Sequence, residues 1–237
     1  MDGSLTQAEW SGERRSLDGR RLHLRFRAWE VEWDGAPALQ VVVVDDTARV
    51  EADRALHWRA THDELTGLPN RNALLQRLRD LFEQPVRLAF ALILMDVDRF
   101  KFFNEAHGQS VGDEVLKRVA HVLRSNLRDA DRVGRIGGEE FLVVLGTADM
   151  DDARQVAERL RHLISQLEVS CDEGKTSLSV TISIGLTQSQ VFDEDWASVV
   201  SRADQGLYKA KRSGRDCVIV ADALTRVEHR KDWHCDS

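Results

Sequence analysis

An aspartate closes the most apolar run in the chain. Leu94-Met95-Asp96-Val97-Asp98 ends a stretch that is unbroken in hydrophobicity from Leu88 to Met95, so Asp96 lies where a buried strand leaves the core. A second acidic pair follows in Gly137-Gly138-Glu139-Glu140-Phe141, at the turn of an apparent hairpin. A carboxylate at the edge of a hydrophobic core is costly unless a cation or hydrogen bonds compensate it. Oxygen-only ligands from a few acids suit Mg²⁺, which keeps waters and joins substrate phosphates to one or two protein carboxylates. Consecutive glycines leave room for a ligand to approach the backbone. The same residues also read as a hairpin turn with solvated acids, and the spacing by itself leaves both readings open. Asp98 reads as structural: two residues beyond Asp96, it would share that face on a continuing strand, but the strand ends about here and leaves its direction open.

The elements around these acids follow from periodicity. Residues 71–83 carry Leu74, Leu75, Leu78, Leu81 and Phe82 on one helical face, and Val86 to Met95 is a strand of the buried kind. A helix is predicted from about Gly112 to Arg128, then short strands on either side of Gly137-Gly138, then a helix carrying Ala153, Val156, Ala157, Leu160, Leu163, Ile164 and Leu167. A strand at 177–187, a helix at 194–212 and a strand at 216–220 complete an α/β domain over 61–222, with a polar, frayed tail at 223–237.

Residues 1–46 read as strands, with Asp34-Gly35 as a hairpin turn. So few strands cannot build a core alone. This segment therefore packs on something else or is the tail of a larger domain. Residues 47–60 read as a linker helix, with Val50, Ala55, Leu56 and Trp58 set among Arg49, Glu51, Asp53, Arg54 and Arg59, suited to pairing with its copy in a second chain.

Composition narrows the function classes. The chain has 237 residues, 42% of them hydrophobic, and only 3 prolines, which excludes disorder as the main theme. Its net charge of −7 makes nucleic acid a poor partner, although a small phosphate-bearing ligand is compatible with it. No stretch reaches the ~18 to 20 apolar residues of a membrane span, and Met1 to Thr6 lacks the features of a signal peptide. The expectation is a cytoplasmic chain, with any membrane anchor of a parent protein lying upstream. Cys171, Cys217 and Cys235 have neither disulfide-framework nor metal spacing and are expected to be free thiols.

Arg135-Ile136-Gly137-Gly138-Glu139-Glu140-Phe141 resembles the signature of GGDEF domains, the bacterial diguanylate cyclases. Four further motifs resemble the family in the same order: Asp63-Glu64-Leu65-Thr66-Gly67-Leu68-Pro69-Asn70-Arg71; Asp96 to Lys101 with Asn104 and Gly112-Asp113; Ile182-Ser183-Ile184-Gly185; and Ala203-Asp204 through Tyr208, Lys211 and Arg215. The resemblance implies a palm-like nucleotidyl cyclase fold, a mainly antiparallel five-stranded sheet flanked by helices. It implies condensation of two GTP into cyclic di-GMP and two pyrophosphates, one GTP in each protomer of a homodimer.

Carried over by position, Asp96, the carbonyl of Val97 and Glu139 would ligate Mg²⁺ or Mn²⁺, with Glu139 also the proton acceptor and Glu140 beside the metals. Lys101 would stabilise phosphate charge, and Lys211 and Arg215, four apart on one helical face, would hold the β- and γ-phosphates. Asn104 and Asp113 would read guanine, which disfavours an adenylyl-type cyclase. Phe100, Gly137 and Gly138 would complete the nucleotide pocket. Gln109 stands where many relatives have histidine; it still donates and accepts hydrogen bonds. Arg128-Asp129-Ala130-Asp131 resembles the family's inhibitory product site, through Arg128 and Asp131. The strands before Thr47, ending in Asp45-Asp46-Thr47, resemble the last third of a PAS sensor domain, and homodimerisation would run through this segment and the linker helix. The alternative is a catalytically silent module of the same family that holds GTP or cyclic di-GMP as a receptor.

Overall fold

The computed structural model describes residues 7–84, 88–146, 149–171 and 176–222. The tail at 223–237, Cys235 and the start of the predicted strand at Val86 lie outside the described residues. The chain divides into two compact units, residues 1–60 and 61–237.

In the first unit β1 (Gln7–Arg15), β2 (Arg21–Trp33) and β3 (Ala36–Asp45) form an antiparallel sheet in that order. Asp34 and Gly35 both have positive φ, 51° and 75°, as a two-residue hairpin turn matched to strand twist requires. Helix α1 (Thr47–Thr61) follows. Thr47 Oγ1 accepts from the His23 N–H, and Arg54 pairs with Glu13. Among the described residues of this unit only Ala28 is fully buried. Polar ties and the stack of Trp10 on Phe26 stand in place of an extended apolar core, as expected of so few strands.

The second unit is built on the five-stranded sheet β10-β9-β4-β6-β5, formed by β4 (Ala91–Val97), β5 (Arg132–Arg135), β6 (Glu140–Leu145), β9 (Ile182–Gln188) and β10 (Val218–Val220). The β9/β10 pair is parallel and the other pairs are antiparallel. Strand β4 is central and buried along its length. Its side chains alternate between two cores. Ala91, Ile93, Met95 and Val97 pack with α4 (Gln109–Ser125) and α5 (Met150–Ser165); Leu92 and Leu94 pack with α2 (Arg71–Glu83) and α6 (Trp196–Arg212). Each fully buried aliphatic side chain contributes about 1.5–3 kcal/mol. The same alternation sends Asp96 and Asp98 to the face covered by α2 and α6.

Three features depart from the periodicity reading. Residues 177–187 are not one strand: β8 (Thr176–Leu178) pairs with β7 (Val169–Cys171) in a separate sheet, and β9 joins the central one. No glycine or proline marks the break; the pairing partners decide it. Phe100–His107 forms a short helix, α3, too brief to carry a periodic signal. Helix α4 begins at Gln109, ahead of the predicted Gly112, directly after Gly108 at φ 85° and ψ 155°, a conformation open to glycine. No described helix is long and apolar enough to cross a membrane.

Candidate functional site

The acids meet at one end of the sheet. Across β4 and its neighbours, Asp96 stands opposite Glu140 on one side and Ser183 on the other. The Asp96 side chain is 6% exposed, and Lys211 Nζ of α6 lies 2.7 Å from its Oδ2. Burial lifts the Asp96 carboxyl to about 6; Lys211 opposes the rise, and Glu139 and Glu140 add to it. The carboxylate is therefore under-compensated by its one lysine.

Lys211 reaches it because α6 lies directly on β9. A Cβ on Gly185 would fall 2.0 Å from the Ala203 carbonyl oxygen and 2.3 Å from the Leu207 nitrogen, so only glycine permits this approach.

The glycine turn is held from behind. Arg135 donates through Nε and Nη2 to the Gly138 carbonyl, at 3.1 and 2.7 Å, and through Nη1 to both oxygens of Asp63 at 3.0 Å. Asp63 also accepts from Thr66 N and Oγ1. Burial raises the Asp63 carboxyl, but the bonds from Thr66 and Arg135 outweigh it and hold the group below the usual carboxylate range. Gly137 and Gly138 do not have positive φ, so space rather than dihedral freedom explains them. Nothing lies within 4 Å of a Cβ built on Gly138, whereas one on Gly137 would meet Glu140 Oε2 at 2.8 Å.

Asn104, on α3, turns its side chain against α4. Its Oδ1 is buried with no hydrogen-bond partner, and a Cβ on Gly112 would fall 1.8 Å from that atom. An orphaned buried acceptor beside a missing side chain is what a ligand-reading amide requires. Asp113 is half-buried on the following turn, Phe100 is buried against Gly112, and Gln109 is exposed at the start of α4. Lys101 is 84% exposed and pairs with Glu105 at 3.9 Å. Arg215 is exposed in a left-handed turn after α6 and makes no ion pair with a described residue. The fold thus brings Asp96, Glu139, Glu140 and Lys211 together, while Lys101 and Arg215 project to solvent.

The acids fit a divalent cation by their chemistry. They offer oxygen donors only, and Asp96 carries a burial penalty that a further cation would relieve. No three described His, Cys, Asp or Glu side chains make a metal cluster by themselves, so the remaining ligands would come from backbone, water or substrate phosphate, as Mg²⁺ favours.

Comparison with known proteins decides the family. The model of the diguanylate cyclase GGDEF domain matches residues 60–217. The chain belongs to the GGDEF family. Diguanylate cyclase DgcP of Pseudomonas aeruginosa is 44% identical over 165 residues, 69% of this chain and 24% of that protein. The response regulator PleD of Caulobacter vibrioides is 37% identical over 180 residues, 73% of this chain and 38% of that protein. The chain thus spans well under half the length of either relative. The crystal structure of the GGDEF domain of DgcB from Caulobacter crescentus, in complex with c-di-GMP, superposes with a TM-score of 0.65 at 30% identity, covering 68% of this chain and 96% of that one.

Within the GGDEF unit, Arg128 and Asp131 lie away from the acids, on the loop before β5. Asp131 accepts from the N–H groups of Arg128 and Gly146, at 3.0 and 3.1 Å, and Arg128 is exposed. Asp63, Gly112 and Arg135 stand within the sequence motifs with no role that the sequence alone assigns. Arg135 lies directly before the glycine turn, and nothing in the spacing shows that Asp63, 72 residues earlier, holds it.

Proposed function

We propose that residues 61–222 are an active diguanylate cyclase that condenses two GTP into cyclic di-GMP and two pyrophosphates. The observation that carries this is Asp96: a buried carboxylate at a strand end, opposite Glu140 and 2.7 Å from Lys211, with its carboxyl lifted to about 6. In this reading Asp96, the Val97 carbonyl and Glu139 would hold Mg²⁺, and Glu140 would deepen the negative potential there. When bound, the metal neutralises charge on the attacked α-phosphate.

The chain's own groups do the rest. Asn104 and Asp113 accept from the guanine edge and so reject adenine, which would leave them buried and unpaired. Gln109 contributes a polar contact there, and Phe100, Gly137 and Gly138 shape the pocket wall. Lys101, Lys211 and Arg215 hold the phosphates, and Glu139 accepts the proton of the attacking ribose 3′-hydroxyl. One site presents only one nucleotide, so the two-fold symmetric product requires two protomers face to face. We read residues 1–46 as the end of a PAS-like sensor and 47–60 as the helix that brings the protomers together. Arg128 and Asp131 bind the product and restrain the enzyme.

The test is incubation of the purified chain with GTP and Mg²⁺ over a range of protein concentrations, with nucleotides separated by chromatography. Cyclic di-GMP formed at a rate steeper than linear in protein, and lost in Glu139→Ala, is the expected result. Binding of GTP or cyclic di-GMP without turnover would instead make the domain a receptor module.

A further inference from the structure

The segment joining α6 to β10 is strained. Gly214, Arg215 and Asp216 have φ of 110°, 69° and 45° in succession. A non-glycine residue in the left-handed region is disfavoured and persists only where its surroundings over-determine it. Here they do so from two sides.

On the inner side Asp98, 8% exposed, accepts on Oδ2 from the Asp216 N–H at 3.1 Å and from Thr181 Oγ1 at 2.7 Å, and on Oδ1 from Ser183 Oγ at 2.6 Å. On the outer side Arg161 of α5 donates to the Asp216 carboxylate at 2.6 Å while its Nε is held by Glu158 at 2.8 Å. The Arg215 N–H closes the helix end by donating to the Ala210 carbonyl at 3.1 Å.

Asp98 shares the β4 face with Asp96, but both of its oxygens are engaged by these donors, so it is not a free ligand beside the acids. What it fixes is a reversal of the chain within three residues. That reversal keeps Arg215 at the strand end, where it lines a cavity of about 470 Å³ with Asp98, Arg99, Phe103, Thr181 and Asp216. An untied turn would relax to ordinary φ values and let Arg215 swing away.

We infer that Asp98 and Arg161 are positioning residues that hold the Gly214–Asp216 turn and so aim Arg215 at the β- and γ-phosphates of bound nucleotide. This rests on the proposed reading of Arg215 as a phosphate ligand.

The test is equilibrium binding, with Mg²⁺ present, of 3′-deoxy-GTP, which lacks the attacking hydroxyl, and of GMP, which lacks the outer phosphates. Asp98→Ala and Arg161→Ala are each expected to weaken 3′-deoxy-GTP about tenfold, the low end of what one charge-assisted contact is worth, and to leave GMP binding unchanged. Asp98→Asn should retain most of the affinity. Its Oδ1 can keep Thr181 and Asp216 while the Ser183 hydroxyl turns to accept from Nδ2.

Equal loss of both ligands in the alanine variants, or an asparagine variant as weak as alanine, would overturn the inference. So would unchanged 3′-deoxy-GTP binding in both alanine variants when Arg215→Ala does lose it. Arg215→Ala binding like the parent would overturn the phosphate reading itself. Should Asp98→Ala not fold, Arg161→Ala, at a side chain 24% exposed, makes the same comparison.

Discussion

Asp96 carries a cost in stability at the level of a single side chain. Its carboxyl rises from 3.8 to about 6 on folding, so between those values the folded state binds the extra proton. Stability therefore falls as pH rises from about 4 to about 6 and is level above, a loss of at most about 3 kcal/mol. Asp96→Asn should remove that slope and make the metal-free domain about 1–3 kcal/mol more stable at neutral pH, as urea unfolding in EDTA at pH 4.5 and pH 7 would read. The same variant should make no cyclic di-GMP. Asp63 has the opposite sign: its carboxyl is held below 3.8, so its contribution is present above that pH and lost as pH falls through the folded value. Gly112→Ala separates site from stability in another way. The new methyl would stand 1.8 Å from Asn104 Oδ1, the end of a side chain that can rotate, and would push that amide aside, with the Phe100 ring 3.1 Å away. Alanine is also the better helix former by about 1 kcal/mol, so the melting temperature should hold or rise while GTP affinity falls. A fall in both together would point to lost packing instead.

Elements carry the site through two close approaches. Helix α6 delivers Lys211 only because Gly185 lets it touch β9. Gly185→Ala would set a methyl against two backbone atoms that cannot rotate away, and overpacking of this kind costs about 3 kcal/mol. Loss of cooperative unfolding together with lost turnover is the expected outcome. The hairpin between β5 and β6 depends on the Arg135 clamp to Asp63 and the Gly138 carbonyl. Arg135→Ala leaves Asp63 half-buried without its cation, a destabilisation of about 1–3 kcal/mol, and frees the turn that carries Glu139. A fall in kcat larger than any change in KM would mark that as a positioning effect.

At the scale of the whole molecule, the proposed reaction needs two copies of one domain. Initial rate should therefore rise with nearly the square of protein concentration until the dimer saturates, and sedimentation velocity with a GTP analogue should show association over the same range. Arg128→Ala should relieve inhibition by added cyclic di-GMP without changing the initial rate; inhibition that persisted would remove the regulatory reading. The chain covers 24% of DgcP and 38% of PleD, so each of those proteins holds further sequence beyond the matched domain.

Sequence alone determined what depends on near neighbours. The apolar run ending at Asp96 gave a buried central strand, because alternation and hydrophobicity are properties of successive residues. The face Leu74, Leu75, Leu78 gave α2 at its observed limits, the charged run from Thr47 gave α1, and Asp34-Gly35 gave its hairpin. Five ordered motifs were enough to name the family. Tertiary structure alone decided what depends on partners distant along the chain. It split residues 177–187 between two sheets, since neither half carries a breaker and each simply found a different partner. It joined Asp63 to Arg135, and Asp98 to Thr181, Ser183 and Asp216. A carboxylate's need for donors is written in its residue type, but which donors meet it is set only when strands and helices pack, and no local pattern holds that information.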